Sequence, residues 1–160
     1  MKHCKLEDIV DALETQTEMH SNYLDTTTGE IILLSEDELY AAESGEFRTD
    51  HPEWLQTQIE LAHLVLEDAN NRFIQLPSKF DVHEYSIMER FCREFPDIKI
   101  AEALCELIQG SGAFRRFKNA IHQYDIQDQW YDYKQNALVE IAKDWCDSHG
   151  IAYTMEESDN

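Results

Sequence analysis

The sequence predicts an α+β fold: a mostly helical single domain over residues 1–160, with a small antiparallel sheet and a helical C-terminal half. Three observations carry this. Several stretches repeat apolar residues at the i, i+3, i+4, i+7 spacing that gathers them on one face of a helix. One stretch, residues 22–34, instead shows two β-prone runs about a turn. Finally, only five glycines and three prolines punctuate the chain, too few for a many-turned all-β fold. At 160 residues and 42% apolar content the chain can bury a core, which argues against global disorder.

Lys5–Gln16 reads as an amphipathic helix through Leu6, Ile9, Val10 and Leu13. The hairpin 22–34 turns at Thr26–Gly29, where Gly29 can take positive φ without a steric cost. A lone hairpin is marginal in water, so it needs a third strand, and residues 72–77 supply one that ends at Pro77. Between them a short helix is expected over Glu36–Ser44, then a loop around Gly45–Asp50. A long helix follows, with Pro52 in its first turn and Leu55, Ile59, Ala62 and Leu66 on one face as far as Asn70-Asn71.

Asp81 and Glu84 have capping-box spacing ahead of a helix striped by Tyr85, Met88, Phe91, Cys92 and Phe95. Phe95-Pro96 ends that helix, because the residue before proline is pushed out of helical geometry. A helix over Ile100–Gln109 is expected to stop at a left-handed Gly110, and Ser111 to cap the next one over about 112–124. The last long helix covers 127–149 up to Gly150, with an edge strand at Ile151–Met155 and a frayed, disordered tail over 156–160. No internal repeat, low-complexity tract or interdomain linker is evident.

The N-terminus, MKHCKLEDIVDALE, lacks the apolar core and cleavage site of a secretory signal. No apolar stretch approaches the roughly 18–20 residues that span a bilayer. Cys4, Cys92, Cys105 and Cys146 are scattered, and buried reduced thiols are expected. Together these predict a soluble, cytoplasmic protein without membrane contact.

Thirty-three acids face thirteen Lys and Arg, for a formal net charge of -20. Residues 1–80 carry a net of -12 and residues 81–160 a net of -8. Such a surface repels nucleic-acid backbones and anionic lipid, so direct nucleic-acid binding is disfavoured.

The densest positive charge lies in Gly110-Ser-Gly-Ala-Phe-Arg-Arg-Phe-Lys118, with no acid between Glu106 and Asp125. On a helical wheel Ala113, Phe114, Phe117, Ala120, Ile121 and Tyr124 share the core face. Arg115, Lys118 and His122 lie opposite, and Arg116 is at the border. Gly110, Ser111, Gly112, Arg115, Arg116 and Lys118 are therefore the candidate ligand- or partner-binding residues, with helix N–H groups and side-chain cations available to an anion. Against that stands a plain helix–helix corner whose cations meet acids of neighbouring helices, since a lone G-x-G is a weak signal.

Other candidates carry bland alternatives. Trp130, Tyr131, Tyr133 and Trp145 have rings able to stack a base, but Trp130, Ala137, Leu138, Ile141 and Trp145 already describe a core stripe. Glu84, Glu89 and Glu140 offer carboxylates for acid–base chemistry, but Glu84 and Glu89, five apart on one helix, do not share a face well and capping already accounts for Glu84. Cys146 and His149 have ligand spacing, two short of a closed zinc site. The sequence implies no catalytic residue, metal or cofactor.

Four stretches, Tyr23–Glu30, Glu84–Phe91, Gly110–Lys118 and Glu140–Cys146 with Gly150-Ile151, resemble a bacterial family catalogued only as an uncharacterised protein family. The resemblance covers about residues 6–151 and implies a soluble bacterial or phage-type protein. It supplies no reaction, cofactor or catalytic residue. The functional expectation is a binding or regulatory protein acting through protein contacts, including an acidic mimic of nucleic acid that occupies a basic groove. The alternative is an enzyme or sensor that holds a small phosphorylated or nucleotide ligand at the Gly-Ser-Gly/Arg-Arg corner.

Overall fold

A computed structural model describes residues 3–45 and 52–155. The loop expected after Gly45, His51 and the tail 156–160 lie outside the described residues. In chain order the elements are β1 (His3–Lys5), α1 (Leu6–Thr15), β2 (His20–Asp25), β3 (Ile31–Ser35), α2 (Glu36–Ser44) and α3 (Glu53–Leu66). They continue with β4 (Phe73–Gln75), α4 (Lys79–Val82), α5 (Glu84–Glu94), α6 (Ile98–Leu107), α7 (Ala113–Gln123), α8 (Gln127–Ser148) and β5 (Ala152–Thr154). The fold is α+β, as expected. The chain divides into two compact units, one of residues 1–79 with 142–160 and one of residues 80–141.

The first unit holds the expected sheet. Its order is β3-β2-β4, antiparallel throughout, with Tyr23 opposite Ile32 and Leu24 opposite both Ile31 and Ile74. Gly29 turns the hairpin at φ +78, and a Cβ there would stand 2.8 Å from the His3 carbonyl oxygen. The strand expected after Gly150 forms, but pairs parallel with β1, Cys4 opposite Tyr153. Lys5, read as helical, is thus the last residue of a strand and the N-cap position of α1. Leu34, Ala42, Ile59 and Ala62 pack one core between β3, α2 and α3.

Ser35 and Glu38 start α2 by a reciprocal capping box. Glu38 N–H donates to Ser35 Oγ at 3.1 Å, and Ser35 N–H to Glu38 Oε1 at 2.8 Å. Pro52 is the N-cap residue of α3 rather than a residue of its first turn. Its carbonyl accepts from Leu55 and Gln56, and its missing N–H costs nothing there.

A charged clamp closes the sheet. Arg72 Nε and Nη2 donate to Asp25 Oδ1 and Oδ2 at 3.1 and 3.0 Å, and Asp25 also accepts from Thr27 N–H. The Arg72 carbonyl accepts from both the N–H and the hydroxyl of Thr26. Its guanidinium lies 4.8 Å from the centroid of the Phe73 ring. Burial pushes the Asp25 carboxyl up, but the Arg72 guanidinium and the N–H groups of Thr27 and Thr28 outweigh this and hold it below its ordinary value. Next to it, Asp68 is lowered by accepting from Phe73 N–H, which fixes the entry to β4.

In the second unit, Phe91 and Phe117 sit at the centre of an aromatic cluster with Phe95, Trp130 and Tyr133. Met88, Cys92, Leu104, Ile108, Ala120, Ile121 and Ile126 complete this core. The expected capping box at Asp81 is not present. Lys79–Val82 already forms one helical turn, and His83, left-handed at φ +54, is the N-cap residue of α5 with no side-chain cap bond. Freed from capping, Glu84 pairs with Lys134 Nζ at 2.9 Å. Asp97 caps α6 through Lys99 and Ile100 N–H, so that helix starts two residues earlier than expected.

Phe117→Ala is expected to cost about 3–5 kcal/mol in urea denaturation, because removing a fully buried ring leaves a cavity that its surroundings fill only in part. Arg72→Met is expected to lower stability at pH 7. A carboxyl lowered in the folded state stabilises above its unfolded value, and that stability is lost as pH falls through the folded value. The difference between Arg72→Met and the parent should therefore shrink steadily below about pH 4. Denaturation midpoints measured from pH 7 to pH 2.5 check this.

Candidate functional site

The Gly110–Lys118 corner joins α6 to α7. Gly110 and Gly112 both adopt φ +79, the left-handed region that glycine enters freely. Gly112, not Ser111, is the N-cap residue of α7, and no side chain caps that helix. Ser111 fails as a cap because the left-handed Gly112 stands between it and the first helical residue. It contributes its carbonyl instead.

That carbonyl belongs to a set gathered by Arg116. Its Nε donates to Leu107 at 2.8 Å, Nη1 to Ser111 at 2.7 Å and Nη2 to Gln109 at 2.6 Å. Tyr85 hydroxyl donates to the fourth, Ile108, at 3.0 Å. The last carbonyls of a helix lack intrahelical donors and carry the negative end of its dipole, so a guanidinium fits them in both respects. A Cβ on Gly112 would come within 3.1 Å of Arg116 Nη1, so the glycine also makes room for the guanidinium.

The remaining cations point elsewhere. Arg115 and Lys118 are exposed and form no ion pair among the described residues. Phe114, read as core, is 37% exposed. Its ring meets Tyr85 edge-on at 6.3 Å, because the core face of α7 is narrower than the wheel suggests. The corner thus offers two free cations beside a half-exposed aromatic pair.

The other candidates resolve into structure. Trp130 and Tyr133 pack with Phe91, and Tyr133 donates its hydroxyl to Glu94 at 3.0 Å; Tyr131 is exposed. Trp145 is buried, with Nε1 donating to the Gln75 carbonyl at 3.1 Å. Glu89 pairs with Arg93 one turn on. Cys146 is fully buried with its sulfur 4.0 Å from Cys4, and burial pushes its thiol up to about 12. His149 lies against Trp145 and near its carbonyl. No three metal-binding side chains cluster among the described residues, and no helix there is long and apolar enough to cross a membrane.

A second surface carries no sequence motif. Residues 6–71 hold seventeen acids against one Lys or Arg, Arg48, for a net of -16. The second unit, with eleven acids and seven bases, carries only -4. Within the acidic stretch, a hollow of about 560 Å³ is lined by Ala41, Ala42, Gly45, Ile59, His63 and Leu64, with Glu60 at its side. A second of about 480 Å³ reaches Asp37, Glu38, Trp54 and Leu55, and it shares Ala41 and Ile59 with the first. Both hollows border the α2–α3 seam. Trp54 is 66% exposed and Leu64 52%, although both are apolar. Periodicity could have flagged them, because they fall off the Leu55–Ile59–Ala62 face of their own helix.

Arg116→Ala should cost about 2 kcal/mol, since it removes three hydrogen bonds from a charged donor, one of them to the part-buried Leu107 carbonyl. Arg115→Ala and Lys118→Ala should each stay within about 0.5 kcal/mol of the parent. Urea denaturation of the three variants separates the cap from the free cations.

Residues 3–160 match a family described as an uncharacterised protein family, UPF0158. Among curated proteins the chain is similar to the UPF0158 protein PA5073 of Pseudomonas aeruginosa, at 23% identity over 154 residues, 96% of this chain and 87% of that protein. No solved structure matches.

Proposed function

The chain belongs to the uncharacterised family UPF0158, and we propose that it is a non-catalytic binding protein acting through protein contacts made by its acidic first unit. The observation that carries this reading is the net charge of -16 over residues 6–71, laid beside exposed Trp54 and Leu64. A solubilising surface needs charge but gains nothing from exposed large apolar side chains. Carboxylates interspersed with exposed apolar side chains are the complement of a basic protein surface with apolar residues within it. A protein whose basic groove normally holds nucleic acid is one such surface.

The alternative, a small phosphorylated ligand at the Gly-Ser-Gly/Arg-Arg corner, is less well supported. Arg116 is engaged by three carbonyls, which leaves Arg115 and Lys118 as the available donors.

A salt titration against a panel of nucleic-acid-binding proteins tests the proposal. Binding should weaken by about tenfold or more between 50 and 300 mM salt, as screening removes the attraction. Charge reversal of Asp37 and Glu60 should weaken it further at low salt. Salt-independent binding, or none across the panel, overturns the proposal.

A further inference from the structure

The first unit is built from two separate stretches of chain, residues 1–79 and residues 142–160. Contacts between the two stretches therefore hold the unit together. β1 pairs with β5 over three residues, and Trp145 Nε1 donates to the Gln75 carbonyl. A third contact is between sulfurs: Cys4 Sγ on β1 lies 4.0 Å from Cys146 Sγ on α8, across 142 positions of sequence. Both are free thiols, 2% and 0% exposed. A disulfide is about 2.05 Å long, so the sulfurs stand about 2 Å from bonding distance. Rotation about a Cα–Cβ bond swings a sulfur through a comparable arc.

We infer that Cys4 and Cys146 form a redox-responsive latch: a small disulfide of the glutathione class oxidises them to a disulfide that locks the two chain segments of the first unit together. This goes beyond the protein-binding reading and does not depend on it. With β1 seated, the pair is inert, because the thiolate is the nucleophile. Burial, with Asp8 adding to it, raises the Cys4 thiol above its ordinary value, and burial together with the nearby Cys4 pushes Cys146 up to about 12. Among the described residues the β1–β5 sheet has only two strands, a marginal pairing that opens more readily than the rest of the unit. Opening lets Cys4 ionise and attack one sulfur of the external disulfide, expelling a thiolate that takes up the proton Cys4 lost. As β1 returns, Cys146 attacks the Cys4 sulfur of the mixed disulfide, and its proton leaves with the second small thiol. Two cysteine thiols lose two electrons and two protons, and one external disulfide becomes two thiols.

The test incubates the full chain with about ten parts oxidised to one part reduced glutathione. Remaining thiols are then alkylated in denaturant and the peptides mapped by mass spectrometry. A Cys4–Cys146 linked peptide should appear, with Cys92 and Cys105 alkylated and with full reversal by dithiothreitol. The oxidised chain should melt about 5 °C or more above the reduced one, since the bond closes a long loop of the unfolded chain. Cys4→Ala and Cys146→Ala should each abolish both the linked peptide and the rise in melting temperature. A low urea concentration that leaves the circular dichroism unchanged should speed formation of the link about threefold or more, because it favours opening. No Cys4–Cys146 link, or links made chiefly through Cys92 or Cys105, overturns the inference. A link that leaves the melting temperature unchanged or lower overturns the latch, and one whose rate ignores urea overturns its gating by β1.

Discussion

The Asp25–Arg72 clamp is the contact on which the first unit depends, because that unit must fold against its own charge. Seventeen carboxylates within residues 6–71 repel one another, and self-repulsion favours the expanded chain. Two arrangements limit the damage. Acids are grouped at helix starts, as in Glu36, Asp37 and Glu38 of α2, where the dipole favours them. The buried Asp25 is matched by a bidentate guanidinium that also ties the hairpin turn to β4. Arg72 therefore joins the sheet in two ways, through its side chain and through its carbonyl.

The positive island of the second unit has the opposite character. It stands out in the sequence by density, yet its central cation works inward. Arg116 collects the carbonyls of Leu107, Gln109 and Ser111 across two left-handed glycines, and Tyr85 takes Ile108. The corner is rigid because its backbone acceptors are occupied by side chains from α5 and α7. The cationic cluster thus serves the fold where its density alone suggests a binding site.

Much of the fold was legible. The Thr26–Gly29 turn, the third strand and the long helices follow from glycine placement and apolar period. The failures are local and share a cause: capping depends on φ and ψ at one or two residues, which spacing does not reveal. Asp81 and Glu84 have the right separation, but His83 turns left-handed between them. Ser111 is the right residue type, but Gly112 intervenes. At Ser35 and Asp97, by contrast, the residue type and the observed cap agree. The role of Arg116 was not legible, since its partners are carbonyls that every residue possesses. The two hollows at the α2–α3 seam were half legible: the buried face follows from Leu55, Ile59 and Ala62, while the lining depends on how two helices approach.

Amide chemical-shift mapping with a basic protein that binds the chain in the salt titration tests this division of roles most directly. The account predicts shifts concentrated at Asp37–Gly45 and Trp54–Leu64, with Gly110–Lys118 unmoved. Shifts centred on Arg115 and Lys118, with the α2–α3 seam silent, would contradict it.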